Sequence, residues 1–243
     1  MMGSLTGRIA VVTGASSGIG EATAVALAAE GAAVVVAARR GDRLEALAQR
    51  IGDAGGTAVA RPTDVTAEEQ VENLFAYTRD RFGRLDLLVN NAGIADHTPT
   101  EDMSLQRWRE ILDVNLTSVF LCSREAYRLM KAQKRGRIIT VGSISAKIPR
   151  PHNIGYASTK AALVALTHTL ALDGREHGIT ASIVHPGSTI TELTPGMVGR
   201  PPSVAMAAEE VARMITVIAG LPDETNVFET LMLPIAQPYF GRG

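Results

Sequence analysis

A single cysteine, Cys122, stands in a chain of 243 residues, so no internal disulfide can form and no pair of thiolates is available to hold a metal. Its simplest role is that of a small apolar residue on a packed helix. The five histidines, His97, His152, His168, His177 and His185, show none of the spacings by which imidazoles share a metal ion, and no catalytic metal is expected. Positive charge is not in excess either. A formal net charge of −1 and the lack of a basic stripe argue against nucleic acid as a partner. The cationic stretch from Lys131 to Arg137 falls between a helix and a strand and reads as a solvated turn. No apolar run approaches the roughly 18 residues of a membrane span, and nothing at the start has the character of a secretory signal. A soluble cytoplasmic protein without membrane contact is the expectation. Repeats and low-complexity linkers are also missing, and single α/β domains commonly run to ~250 residues, so one domain spanning 1–243 is expected.

What the chain does have is alternation. Strands are predicted near 9–13, 33–37, 57–61, 85–90, 137–142, 179–185 and 227–233, separated by segments long enough for crossover helices. That pattern predicts an α/β fold, a Rossmann-like doubly wound three-layer sandwich with a seven-stranded parallel sheet. The Gly and Pro cluster from Pro195 to Pro202 marks a loop within it.

The first strand, Ile9-Ala-Val-Val-Thr13, runs into Gly14-Ala-Ser-Ser-Gly18-Ile-Gly20, and a helix follows with Ile19, Ala22, Ala26 and Ala29 spaced for one apolar face. Glycines let a backbone turn tightly and approach a pyrophosphate, whose charge suits the free amides and positive dipole end of a helix. The spacing Gly-x-x-x-Gly-x-Gly departs from the commoner Gly-x-Gly-x-x-Gly, and a glycine turn without ligand is the competing reading.

A second local signal is Tyr156-Ala-Ser-Thr-Lys160. On a helix, positions i and i+4 share a face, so both side chains can reach one site. A free phenol titrates near ~10, and a neighbouring ammonium stabilises the phenolate enough for proton exchange under physiological conditions. A solvated helix face is the bland alternative for such a pair.

Cofactor choice is legible after the second strand, where Val34-Val-Val-Ala-Ala-Arg39-Arg40 lacks the carboxylate that grips a free ribose 2′-hydroxyl. Arginine favours a 2′-phosphate instead, which points to NADP(H), with both arginines merely solvated as the alternative. Ser16 and Ser17 can add hydroxyl contacts.

Taken in order, Thr13 to Gly20, Asp64-Val65, Asn90-Asn91-Ala92-Gly93, Asn115, Ser143, Tyr156 to Lys160, and Pro186-Gly187 with Thr191 resemble the short-chain dehydrogenase/reductase family in its compact single-domain branch. The resemblance covers the chain from about Leu5 to its end. It implies that Gly14, Ser16, Ser17, Gly18, Ile19 and Gly20 meet the pyrophosphate and ribose, and that Arg39 and Arg40 meet the 2′-phosphate. By the same resemblance Asp64 accepts a hydrogen bond from the adenine while Val65 packs beside it, and Asn91, Ala92 and Gly93 allow close approach. Pro186, Gly187, Thr189 and Thr191 form the turn that receives the nicotinamide carboxamide. The implied reaction is hydride transfer between nicotinamide and a carbonyl or secondary alcohol, with Tyr156 as general acid/base. Ser143, thirteen positions before Tyr156, is then the donor to the substrate oxygen, with Ser145 its competitor. Lys160 lowers the phenol pKa and bonds the nicotinamide ribose, and Asn115 supports a water relay or serves as a structural residue within the Trp108 helix.

The resemblance implies a small carbonyl or alcohol as the substrate. Lys147, Arg150 and His152 lie in segments that shape the family pocket and can attract a carboxylate, and the ending from Asn226 to Gln237 resembles the NADP-dependent 3-hydroxy acid dehydrogenases and broad carbonyl reductases. A sugar-nucleotide epimerase or a non-catalytic NADP-binding sensor competes with the reductase reading. The resemblance also implies a homotetramer or dimer through the Trp108 helix and the helix from Tyr156 to about Glu176.

Overall fold

The protein is described here by a computed structural model covering residues 5–239, so the outermost positions of the expected 1–243 domain lie outside the described residues. Seven strands form one sheet: β1 (Ile9–Thr13), β2 (Ala33–Ala38), β3 (Thr57–Pro62), β4 (Leu87–Asn90), β5 (Gly136–Val141), β6 (Ile179–Pro186) and β7 (Glu229–Met232). Every pairing is parallel and the order is β3-β2-β1-β4-β5-β6-β7. Helices α1 (Gly18–Ala29), α2 (Gly41–Asp53), α3 (Glu68–Phe82), α4 (Leu105–Leu112), α5 (Ser118–Gln133), α6 (Ile154–Gly174) and α7 (Ala208–Ala219) complete the seven-stranded, doubly wound α/β sandwich.

Side-chain alternation divides the core into two layers. Val34 and Val36 of β2 pack with Leu27 of α1, Leu44 of α2 and Val211 of α7, whereas Val35 and Ala37 pack with Phe75 of α3 and Leu121 of α5 on the opposite face. Strands covered on both faces need no polar alternation, which is why β1 and β2 read as continuous apolar runs. The winding reverses between β1 and β4, and at that reversal the loops leaving the strands diverge and open a crevice above their carboxyl ends.

Four details depart from the sequence reading. The buried face of α1 is Gly20, Thr23, Ala24, Leu27 and Ala28, leaving Ala29 exposed. So alanine-rich a helix has no sharp apolar stripe, and close packing of its smallest residues decides which side faces the sheet. Arg137, at the end of the stretch expected to be solvated, is buried, its Nη2 donating to the carbonyls of Leu221, Pro222 and Thr225 at 3.4, 2.9 and 3.1 Å. The Trp108 helix is broken in register: α4 passes into a π turn over Asp113–Thr117 before α5 begins. Strand β4 starts at Leu87, and ahead of it the Asp86 side chain accepts the Ile9 amide at 2.9 Å and bonds Arg84.

Candidate functional site

The turn between β1 and α1 requires its glycines. Gly14 and Gly18 have φ of 64° and 56°, in the left-handed region, and a Cβ on Gly20 would collide with both Asn91 Nδ2 and the Gly14 carbonyl. Asn91 holds this turn from the neighbouring β4 exit, its Nδ2 donating to the carbonyls of Thr13 and Gly14, each at 3.1 Å. Thr13 Oγ1 returns the tie by accepting the amides of Asn91 and Ala92 at 3.0 and 3.2 Å. The position ahead of α1 is Ser17, whose side chain makes no cap hydrogen bond. The first amides of α1 therefore have no side-chain cap, and the positive dipole end of the helix lies at the crevice.

Serine and arginine meet beside that helix end. Arg40 donates from Nε and Nη2 to Ser16 Oγ, at 3.1 and 2.9 Å, and from Nη2 to Ser17 Oγ at 2.9 Å. Its remaining Nη1 bonds Glu192, which also bonds Arg43 at 2.5 Å. Hydrogen bonds from Arg43 and then Arg40 hold the Glu192 carboxyl at about 2. Glu192 sits beyond β6 and Arg40 just beyond β2, so the contact spans the crevice. Arg39 lines the same space beside Asp64. Burial works against the charge of Asp64, yet two hydrogen bonds from Thr66 and the nearby Arg39 hold its carboxyl below the usual range.

The crevice has a volume of about 900 Å³ and is bounded by Gly14, Ser16 to Ile19, Ala38 to Arg40, Asp64, Val65, Asn91 to Ile94, Val114 and Thr191. Ser143, Tyr156, Lys160 and Thr189 are not on its wall. Lys160 Nζ approaches Gly93 at the far end of that wall, and Ser143, Lys160 and Thr189 are buried while Tyr156 is half-buried.

At that far end each polar group is held by a backbone. Ser143 leaves β5 in extended conformation, and its Oγ accepts the Ser145 amide at 3.1 Å. Tyr156 and Lys160 occupy the start of α6, with Lys160 Nζ 5.6 Å from the centre of the Tyr156 ring. Nζ donates to the Val141 carbonyl at 2.9 Å, and burial lowers the ammonium pKa from 10.5 to about 8. Asn115 sits in the π turn, its Oδ1 accepting the Ile94 amide at 2.8 Å and its Nδ2 donating to the Ile94 carbonyl at 2.9 Å. A Cβ placed on Gly93 would come within 3.3 Å of Asn115 Oδ1 and 3.9 Å of Lys160 Nζ, so the two side chains converge on that glycine.

The segment after β6 folds over the glycine turn. Thr191 rests against Gly18, with its Cβ and Cγ2 3.2 Å from where a Gly18 Cβ would stand. Thr189 Oγ1 donates to the Gly187 carbonyl at 3.1 Å, and the Ser188 amide donates to Gln237 Oε1 at 2.7 Å. The parts played by Glu192 and Gln237 have no sequence signal, since each acts on a partner distant in the chain. Among the described residues no cluster of His, Cys, Asp or Glu suits a metal ion, and no helix is long and apolar enough to cross a membrane. Cys122 is buried, and burial pushes its thiol up to about 12.

An uncapped helix end, two arginines, two serine hydroxyls and a crevice of this volume suit a phosphorylated dinucleotide, whose anionic groups need donors. A family model for short chain dehydrogenases matches residues 8–198. A 3-oxoacyl-[acyl-carrier-protein] reductase of Synechocystis sp. is 40% identical over 201 residues, 82% of this chain and 81% of the relative. A cis-4-hydroxycyclohexanecarboxylate dehydrogenase of Sinomonas cyclohexanicum is 39% identical over 226 residues, 88% of this chain and 89% of that one. A solved metagenomic short-chain oxidoreductase in complex with NADP superposes with a TM-score of 0.85 at 33% identity, covering 95% of this chain and 98% of the other. With the crevice, its glycine turn and a match over most of its length, the chain belongs to the short-chain dehydrogenase family and is an oxidoreductase of that family.

Proposed function

We propose that this oxidoreductase interconverts a carbonyl compound and a secondary alcohol using NADP(H), with Tyr156 as general acid and base. The observation that carries the reading is the meeting of the Asn115 and Lys160 side chains beside Gly93 of the crevice, with Tyr156 one turn ahead of Lys160 on α6. Ser143 stands at the β5 exit with its Oγ fixed by the Ser145 amide.

The bound cofactor supplies or accepts the hydride. Around it, this chain's residues divide the remaining work. Amides at the start of α1 and the guanidiniums of Arg39 and Arg40 hold phosphate groups, with Ser16 and Ser17 orienting Arg40. Asp64 and Val65 hold the adenine end, and Asn91, Ala92 and Gly93 keep the floor low. Pro186, Gly187, Thr189 and Thr191 shape the seat at the other end. The Ser143 hydroxyl donates to the substrate oxygen, and that bond strengthens as negative charge develops there. The Tyr156 hydroxyl gives its proton to the same oxygen during reduction and takes it back during oxidation. The Lys160 ammonium, held by Val141, keeps positive charge near the phenol. Asn115 fixes the Ile94 main chain beside them.

The acid-binding reading of the pocket loses support from Lys147, whose Nζ lies 2.7 Å from Glu229 and is already neutralised. Ile94, which lines the crevice, is apolar, and we favour an uncharged carbonyl compound over a 3-hydroxy acid. The apolar side chains Leu105, Phe120 and Leu172 stand exposed on α4, α5 and α6, which supports a homo-oligomer through those helices in a cytoplasmic enzyme. Light scattering on the purified protein tests the assembly.

The test of the activity follows the loss of reduced-nicotinamide absorbance with NADPH or NADH across ketones, aldehydes, 3-oxo acids and their esters. NADPH-dependent turnover, fastest on uncharged ketones, is the expected result. Tight NADPH binding with no turnover on any carbonyl would overturn it in favour of a sensor.

A further inference from the structure

Behind Ser143 lies a group of charged and titratable side chains that the reaction as described does not use. His185, on β6, is buried, and its Nδ1 lies 3.0 Å from the Ser143 carbonyl and 3.3 Å from the Ser143 amide. The ring packs flat against the β5 exit, since a Cβ on Gly142 would stand 2.6 Å from Nδ1. On the ring's other side, Nε2 has no hydrogen-bond partner and faces Glu229 Oε2 of β7 at 3.6 Å. The same carboxylate pairs with Lys147 at 2.7 Å and faces His168 of α6 at 3.2 Å.

We propose that His185 and Glu229 are positioning residues that set the direction of the Ser143 hydroxyl, Glu229 by choosing the imidazole tautomer and His185 by gripping the Ser143 main chain. The proposal rests on Ser143 being the donor to the substrate oxygen.

A neutral imidazole carries one N–H. With the proton on Nδ1, the ring donates to the Ser143 carbonyl but turns a lone pair from Nε2 toward a carboxylate. With the proton on Nε2, it points at Glu229 and the Nδ1 lone pair accepts the Ser143 amide. The negative charge of Glu229 favours the second arrangement, and Lys147 on that carboxylate tempers it. Burial above all opposes a second proton on the ring and lowers the His185 pKa against the Ser143 main chain and Glu229, with Lys147 and Lys160 of α6 acting in the same direction as burial. A ring held neutral and in one tautomer bonds the Ser143 main chain in one way. The Ser143 side chain, already tied to the Ser145 amide, then has one orientation toward the substrate.

The test is a double-mutant cycle with His185→Leu and Ser143→Ala, read as kcat, KM and the fluorescence-titrated Kd of NADPH. His185→Leu is expected to lower kcat roughly 10- to 100-fold with the NADPH Kd unchanged, as small displacements of a catalytic group do. In the Ser143→Ala background it should add little. His185→Asn, whose amide can occupy the place of Nδ1, should restore most of the loss. Glu229→Gln, which leaves His185 in place, should lower kcat without changing the NADPH Kd. A deep loss in Ser143→Ala to which His185→Leu adds its full effect overturns the positioning role alone. Undiminished turnover in Ser143→Ala overturns the reading of Ser143, and this proposal with it.

Discussion

Asn115 and Ile94 are joined through both ends of one side-chain amide, which accepts the Ile94 N–H at 2.8 Å and donates to the Ile94 carbonyl at 2.9 Å. The chain leaving β4 thus gains a strand-like pairing from a side chain in the π turn, at a point where no neighbouring strand supplies one. Asn115→Ala leaves two main-chain groups without partners in a part-buried setting, at a cost of about 1–3 kcal/mol. Thermal unfolding should show a midpoint lower by several degrees, together with reduced turnover. An unchanged midpoint with lost turnover would mean that Asn115 acts in proton traffic and not by holding Ile94.

Tyr156→Phe removes one oxygen from a half-buried ring and leaves the packing of α6 intact. Turnover should fall by roughly 100- to 10,000-fold, the range supplied by general acid and base catalysis. NADPH affinity, measured by fluorescence titration, should stay near that of the parent protein. Turnover near normal in this variant, or lost nucleotide binding, contradicts the assigned proton role.

Arg40 is oriented by both serines of the glycine turn, whereas Arg39 stands beside Asp64. Either arginine replaced by alanine should weaken NADPH far more than NADH, because only the former carries the extra phosphate. A hydrogen bond to a charged group contributes about 1.5–3 kcal/mol, so a loss of at least tenfold in NADPH affinity is expected. Equal losses for both nucleotides would place the arginines away from the 2′-phosphate.

How much of this was legible in the sequence depends on the range of each contact. The glycine turn, the Tyr156 and Lys160 pair and the two arginines are local signals, written within a few residues, and the parallel, doubly wound sheet follows from the regular alternation of elements, whereas alternation leaves the strand order open. The partner of Lys147 was not legible, because Glu229 lies on β7 and meets it only once the sheet is assembled. The same holds for Arg137, which looks like part of a wet turn until the carbonyls of Leu221, Pro222 and Thr225 fold over it. Nor does composition announce a π turn at Asn115, since its register is decided by the pairing with Ile94. On α1, alanine spacing pointed to the wrong side because every side of that helix is nearly as small and apolar as the next.

Gly20 faces Asn91 and the Gly14 carbonyl so closely that no side-chain carbon fits between them. One of these neighbours is backbone, which cannot swing aside. Gly20→Ala should therefore push α1 away from the β4 exit, costing about 1–3 kcal/mol as overpacking does. Nucleotide affinity should fall with stability, measured by titration and by chemical unfolding of the same preparation. Full affinity in a destabilised variant would separate the turn from the nucleotide site.

Lys160 offers a test in which stability and activity move in opposite directions. Its ammonium is buried with the Val141 carbonyl as a hydrogen-bond partner, and burial lowers its pKa from 10.5 to about 8. Below about 8 the lysine is charged in both folded and unfolded chains, and the folded state bears the cost of holding that charge out of water. Between about 8 and 10.5 the unfolded chain keeps a proton that the folded one has released, so stability rises with pH across that window and the cost is gone above it. Proton affinity that differs between folded and unfolded chains by this much corresponds to a cost near neutral pH of roughly 3 kcal/mol. Lys160→Met keeps an unbranched stem in the same space without the charge. The variant should lose turnover, yet the nucleotide-free protein should unfold at a higher temperature than the parent near neutral pH, with the advantage shrinking as pH climbs through the window. A lower unfolding temperature for the variant near neutral pH would show that the tie from Lys160 to Val141 outweighs the cost of burying the charge.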